Sequence, residues 1–196
     1  FKKTLGPESV WVAWCINDYG MIAQGHGEFE KALTHYREAL GIKQLALPPG
    51  DPDIAMGESN IGALLNQLGR YEEAERLLLV ALADMEKIYG PIHPSTATVL
   101  IHLGECQWKQ GRLEEALSTA SRALAIYEAT TDPDNLGIST VLYDIACVER
   151  DLGRVKESER DFRRCLTLQE KILGPTSPEV AITLDAYALL LRRSGR

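Results

Sequence analysis

Four histidines and four cysteines are the side chains of this sequence best suited to metal or nucleophilic chemistry. His26, His35, His93 and His102 occupy four different positions of the 42-residue frame described below, so no repeat brings two of them into register. None of Cys15, Cys106, Cys147 and Cys165 forms a Cys-x-x-Cys pair, and a zinc site needs four ligands at closed spacing. Each cysteine lies in or beside an apolar stripe, which predicts small buried side chains in a reducing compartment. Glu72-Glu73 and Glu114-Glu115 offer paired carboxylates, but acid–base work needs burial to shift a pKa, and these pairs fall in solvated first turns of helices. No glycine-rich phosphate loop is present. The sequence therefore predicts no catalysis, no cofactor and no metal.

What remains is recognition chemistry. Trp14, Asn17, Met21, Asn60, Asn66, His102, Trp108, Tyr143 and Arg150 combine aromatic and thioether contact area with amides that can pair with an extended backbone. They are the candidate peptide-binding residues. The structural alternative is that Trp14 and Trp108 pack between adjacent helices and that His102 is a solvated helix histidine. The net charge of -7 argues against nucleic acid, which needs a basic stripe for its phosphates. No apolar run approaches the roughly 20 residues of a membrane helix, and no signal peptide is visible, so a cytoplasmic protein without a membrane partner is expected.

These residues need elements to present them, and the elements repeat. Gly69-Arg70-Tyr71-Glu72-Glu73-Ala74 recurs at Gly27, Gly111 and Gly153 and begins again at Gly195, always 42 residues apart. Pro7, Pro49, Pro91, Pro133 and Pro175 keep the same period. Two residues after each proline stands a helix-capping position: Ser9, Asp51, His93, Asn135 and Ser177. Four of these five, all but His93, are expected to cap with their side chains. Pro52, Pro94 and Pro178 follow at the first helical position, where a missing N–H costs nothing.

The first helix of each unit is thus predicted at about 10–26, 52–68, 94–110, 136–152 and 178–194, and the second at about 29–46, 71–89, 113–130 and 155–173. Small residues at Gly20, Gly62, Gly104, Ala146 and Ala188 predict close approach of a neighbouring helix. Ile61, Leu64, Leu65 and Leu68 mark the core side of one first helix. Its groove side should carry Met56, Ser59, Asn60, Ala63 and Asn66, and the corresponding side two units later Thr140, Tyr143, Asp144, Cys147 and Arg150. A pair of antiparallel helices leaves one apolar face open, so each unit must stack on the next.

The turn Gly-x-Tyr-x-x-Ala, the later Ala81-Leu82 pair and the small residue at Gly62 resemble the tetratricopeptide repeat. The 42-residue period is similar to the kinesin light chain type, and Leu173-Gly174-Pro175-Thr176-Ser177-Pro178-Glu179-Val180-Ala181 matches that family's linker. The resemblance implies an all-α fold, a right-handed α-solenoid of stacked helix–turn–helix repeats whose inner groove is lined by first helices. Residues 1–196 would form a single solenoid with units at about 10–51, 52–93, 94–135 and 136–177 and a partial unit at 178–196. Residues 1–7 align with helix ends, so the chain is expected to be a fragment of a larger protein. Trp11, whose column otherwise holds Asp53, Ser95, Gly137 and Glu179, should contact a preceding unit or another domain. The implied function is a protein–protein interaction module binding a linear peptide or protein segment. The alternative is a structural or regulatory scaffold arm that packs on neighbouring domains of its own chain or oligomerises.

Overall fold

The computed structural model describes Gly6 and residues 9–195. The expectations placed on residues 1–5, on Pro7 and on Arg196 lie outside the described residues. Nine helices and no strand occur among the described residues: α1 Val10–Gly25, α2 Phe29–Ala46, α3 Pro52–Gln67, α4 Tyr71–Tyr89, α5 Pro94–Lys109, α6 Leu113–Thr130, α7 Leu136–Asp151, α8 Val155–Leu173 and α9 Pro178–Arg193. The second helices begin and end where the repeat frame predicts. The first helices each stop one residue earlier, because the last predicted residue is the C-cap or its equivalent.

The glycine turn does more than open the second helix: it closes the first. After α3, Gly69 N–H donates to the Asn66 carbonyl and Arg70 N–H to the Leu65 carbonyl. That pair of bonds is the Schellman arrangement, and it requires the left-handed residue that Gly69 supplies at φ 72°. The same two bonds close α1, α5 and α7. Capping at the helix starts departs from expectation at two positions. Asp51, Asn135 and Ser177 accept backbone N–H bonds as predicted, but so does His93, through Nδ1 at 3.1 Å from Ser95 N. Ser9 makes no side-chain cap. An imidazole nitrogen without its proton is an acceptor like a carboxylate oxygen, which the residue-type rule overlooks.

The chain divides into two compact units, one ending at Pro91 and one beginning at Ile92. In the first, α1 pairs with α2, α3 pairs with α4, and α2 packs on α3. Val12, Ala13 and Ile16 meet Ala39 in its core, with Ile42 alongside. Ile61, Leu64, Leu65, Leu78 and Met85 are removed from solvent in the second hairpin. Each such leucine contributes roughly 1.5–3 kcal/mol through burial. The predicted close approach is present: a Cβ added at Gly20 or Gly62 would lie 2.6 Å from Tyr36 or Leu78 of the pairing helix.

In the second unit α5 pairs with α6 and α7 with α8, while α6 packs on α7 and α8 on α9. The first helices α5, α7 and α9 also touch in succession, making one continuous face. Ala146, Cys147, Phe162 and Leu190 form a cluster flanked by Trp108, Tyr143, Val155, Ala186 and Tyr187. Phe162 stacks on Tyr187 at 5.8 Å and meets Tyr143 edge-on at 6.2 Å. Cys106, Cys147 and Cys165 are buried free thiols, and Cys15 is half-buried.

Candidate functional site

In the second unit, the face of α5, α7 and α9 gathers His102, Trp108, Tyr143 and Arg150 from the predicted set. Residues 42 apart in sequence fall in register along this face, so His102 and Asp144 lie in one column and Trp108 and Arg150 in another. His102 and Asp144 are half-buried, ringed by protein yet reached by solvent. That setting disfavours charge on either. Burial lowers the His102 imidazole to about 4. Burial, then the charge of Glu105, raises the Asp144 carboxyl to about 8, with Lys109 opposing. Near neutral pH the column is therefore polar and uncharged. The solvated-histidine alternative for His102 does not describe this environment.

The second column is braced. Trp108 Nε1 donates to Asp151 Oδ2 at 2.9 Å, and Lys109 Nζ sits 4.6 Å from the centre of the Trp108 ring. Asp151 also accepts from Arg150 Nε at 3.0 Å and from Arg193 Nη1 at 3.3 Å. Burial pushes its carboxyl up, but these donors and the charges of Arg150 and Arg193 together outweigh it and hold the carboxyl below the usual range. Asp151 thus ties α5, α7 and α9 together, and it is absent from the sequence-derived set. The signal that could have found it is the 42-residue frame, which sets Asp151 one repeat and one residue beyond Trp108. Arg150 also lies 3.9 Å from Cys147 Sγ. Burial raises the Cys147 thiol to about 11 and the Tyr143 phenol above its ordinary value.

In the first unit, α1 and α3 present Trp14, Asn17, Met21 and Asn60. Met21 is exposed, and Asn17 and Asn60 are half-buried. Trp14 is 39% exposed, with its Nε1 committed to Asp53 Oδ2 at 2.8 Å and its ring edge-on to Trp11 at 4.7 Å. Gln24, in the column of Trp108, donates to Gln67 at 3.0 Å, repeating the brace in an uncharged form. The structure corrects two groove assignments here and one in the second unit. Asn66 and Ser59 are buried, at 3% and 0% exposure, and Cys147 is buried at 1%. The Asn66 carbonyl accepts from Gly69 N–H in the Schellman turn, while Gln24, Trp108 and Arg150 at the equivalent position stay half-buried. Among the described residues no group of three or more His, Cys, Asp or Glu could hold a metal ion. No described helix is long and apolar enough to cross a membrane.

A family model for the tetratricopeptide repeat matches residues 53–129 and 137–196, and a second of the same description matches residues 12–53. The chain belongs to the tetratricopeptide repeat family. A protein of Treponema pallidum (strain Nichols), described as uncharacterized, is 36% identical over 66 residues, 33% of this chain and 17% of that protein. The chain thus matches well under two thirds of that relative's length. A putative kinesin light chain from Podosopora anserina with nearly identical repeats has a TM-score of 0.76 at 18% identity, covering 96% of this chain and 88% of that one. A Rap protein complexed with competence and sporulation factor has a TM-score of 0.80 at 15% identity, covering 93% of this chain and 49% of that one. These likenesses show the fold: tetratricopeptide repeats of the kinesin light chain-like kind. A tetratricopeptide repeat chain of this sort is a protein–protein interaction module.

Proposed function

We propose that the tetratricopeptide repeats bind an extended polypeptide segment along the α5–α7–α9 face, without catalysis. The observation that carries this reading is the column of His102 and Asp144. It offers donors and acceptors without net charge at neutral pH, which suits a main chain better than a phosphate or a carboxylate. Tyr143 and Trp108 supply aromatic walls beside it, already fixed by packing against the core cluster, so little side-chain entropy is lost on binding. The Rap protein seen with competence and sporulation factor supports the use of such a fold to hold a partner. Trp14, Asn17, Met21 and Asn60 form a corresponding set on the α1–α3 face.

The test is selection of random peptides on the full chain, followed by Tyr143→Ala combined with Arg150→Ala. Retained helicity with at least tenfold weaker binding supports the reading, since interface aromatics and arginines commonly carry 1–2 kcal/mol or more. Unchanged binding refutes it at these residues. The scaffold-arm reading is favoured by one observation, the exposed Trp11, Met21 and Ile22 on α1. It predicts that Trp11→Ala, and not the α7 pair, abolishes association.

A further inference from the structure

Between α7 and α9 lies an open cleft of about 150 Å³ lined by Thr140, Tyr143, Gln169, Glu179, Ile182 and Thr183. Gln169 forms its floor. It reaches the cleft from α8 and is only 6% exposed, and its Oε1 accepts from the buried Thr183 hydroxyl at 2.8 Å. No described residue bonds its Nε2, so a nearly buried amide donor points into the opening with one half of its capacity unused. An occupant that strips water from this donor without accepting from it forfeits a hydrogen bond, so the site favours one able to accept. On the rim Glu179 offers a carboxylate with no partner among the described residues. The Thr140 hydroxyl donates to the Leu136 carbonyl at 3.2 Å and keeps its oxygen as an acceptor. The Tyr143 ring, fixed edge-on against Phe162, and the exposed Ile182 give apolar walls.

We infer that this cleft is a subsite for a carboxamide side chain, asparagine or glutamine, of a polypeptide bound on the α5–α7–α9 face. The inference rests on the peptide-binding reading and adds a side-chain preference to it. A carboxamide carries an acceptor for Gln169 and donors for Glu179 and Thr140 on one flat group, and that group lies well against an aromatic wall. An amide is matched by an amide whichever way round either sits. An aliphatic side chain strands the Gln169 donor. A carboxylate meets Glu179, and a cation meets the Gln169 N–H groups. The size agrees, because a cavity near 150 Å³ accepts a group as large as benzene.

The experiment uses the full chain, immobilised, and acetylated random octapeptides with one position fixed at a time. The expected result is enrichment of Asn or Gln at one position by about tenfold over Leu, Lys and Glu, the effect of one well-made hydrogen bond. Gln169→Met, close in shape, should abolish the enrichment while total peptide retention stays near that of the parent; the melting temperature should fall by a few degrees, because the Thr183 hydroxyl loses its acceptor. Glu179→Lys, on the exposed rim where folding is not at stake, should weaken it. Retention with no Asn or Gln preference, or with preference for aliphatic or basic residues, overturns the subsite and leaves the peptide-binding reading standing. Enrichment that survives Gln169→Met also overturns it. No retained peptide from the parent chain overturns the peptide-binding reading and the subsite with it.

Discussion

Two glycines in the same column of the repeat should respond to alanine with opposite signs. At Gly62 an added Cβ would lie 2.6 Å from Leu78 Cγ and 2.8 Å from Cδ2. Leu78 is fully buried, so it has no room to withdraw. Overpacking of this kind costs about 1–3 kcal/mol, offset in part by the helix preference for alanine over glycine of about 1 kcal/mol. At Gly104 the nearest atoms are the Ala116 carbonyl oxygen and Ala120 N, both at 3.6 Å, which is ordinary contact. Only the helix preference remains there, so Gly104→Ala should stabilise by about 0.5–1 kcal/mol. For a chain of this size, 1 kcal/mol corresponds to roughly 2–4 °C. Thermal unfolding followed by far-ultraviolet circular dichroism should therefore show Gly104→Ala melting above the parent and Gly62→Ala below it. Adding Leu78→Ala to Gly62→Ala should cost less than the sum of the single changes, because the smaller side chain relieves the overlap. Equal signs at the two glycines, or additivity in the double variant, would refute the close-approach account.

Three further outcomes follow from the second unit. Asp144 has its carboxyl raised from 3.8 to about 8 by burial, so its folded form holds a proton that its unfolded form has released. The stability it contributes is full below about 4 and is lost as pH rises toward 8; Asp144→Asn should flatten that decline in denaturant melts taken across this range. His102 works the other way, since its pKa is lowered from 6.5 to about 4. Stability is retained above 6.5 and lost as pH falls toward 4, and His102→Gln should remove this loss. Asp151→Ala leaves the bonds from Trp108, Arg150 and Arg193 unmade. It should destabilise the second unit by about 1–3 kcal/mol and shift tryptophan emission, read by urea titration.

The helices were legible because three independent signals shared one period: Gly69 and its copies, the prolines from Pro49 onward, and the caps from Asp51 onward. Burial was legible where a column is apolar throughout, as at Ala81, whose copies Ala39, Ala123 and Cys165 are all buried with it. It was misjudged at Asn66, which is buried while Gln24, Trp108 and Arg150 at the equivalent position stay half-buried, a difference that residue type does not report. The candidate site was legible as a set of faces but not as chemistry. His102 looks like a surface histidine in the sequence, and only the fold shows that burial lowers its imidazole. Asp151 and Gln169 carry no motif at all. Their roles arise from three first helices meeting at one carboxylate, and from an amide on α8 reaching between α7 and α9.

Backbone amide hydrogen exchange on the full chain, with and without a peptide selected on it, locates the binding face. Binding on the first-helix face predicts slowed exchange concentrated in α5, α7 and α9, strongest around Tyr143 to Arg150, with α6 and α8 unchanged on their outer sides. Protection confined to α6 and α8, or to α1 around Trp11, would contradict it.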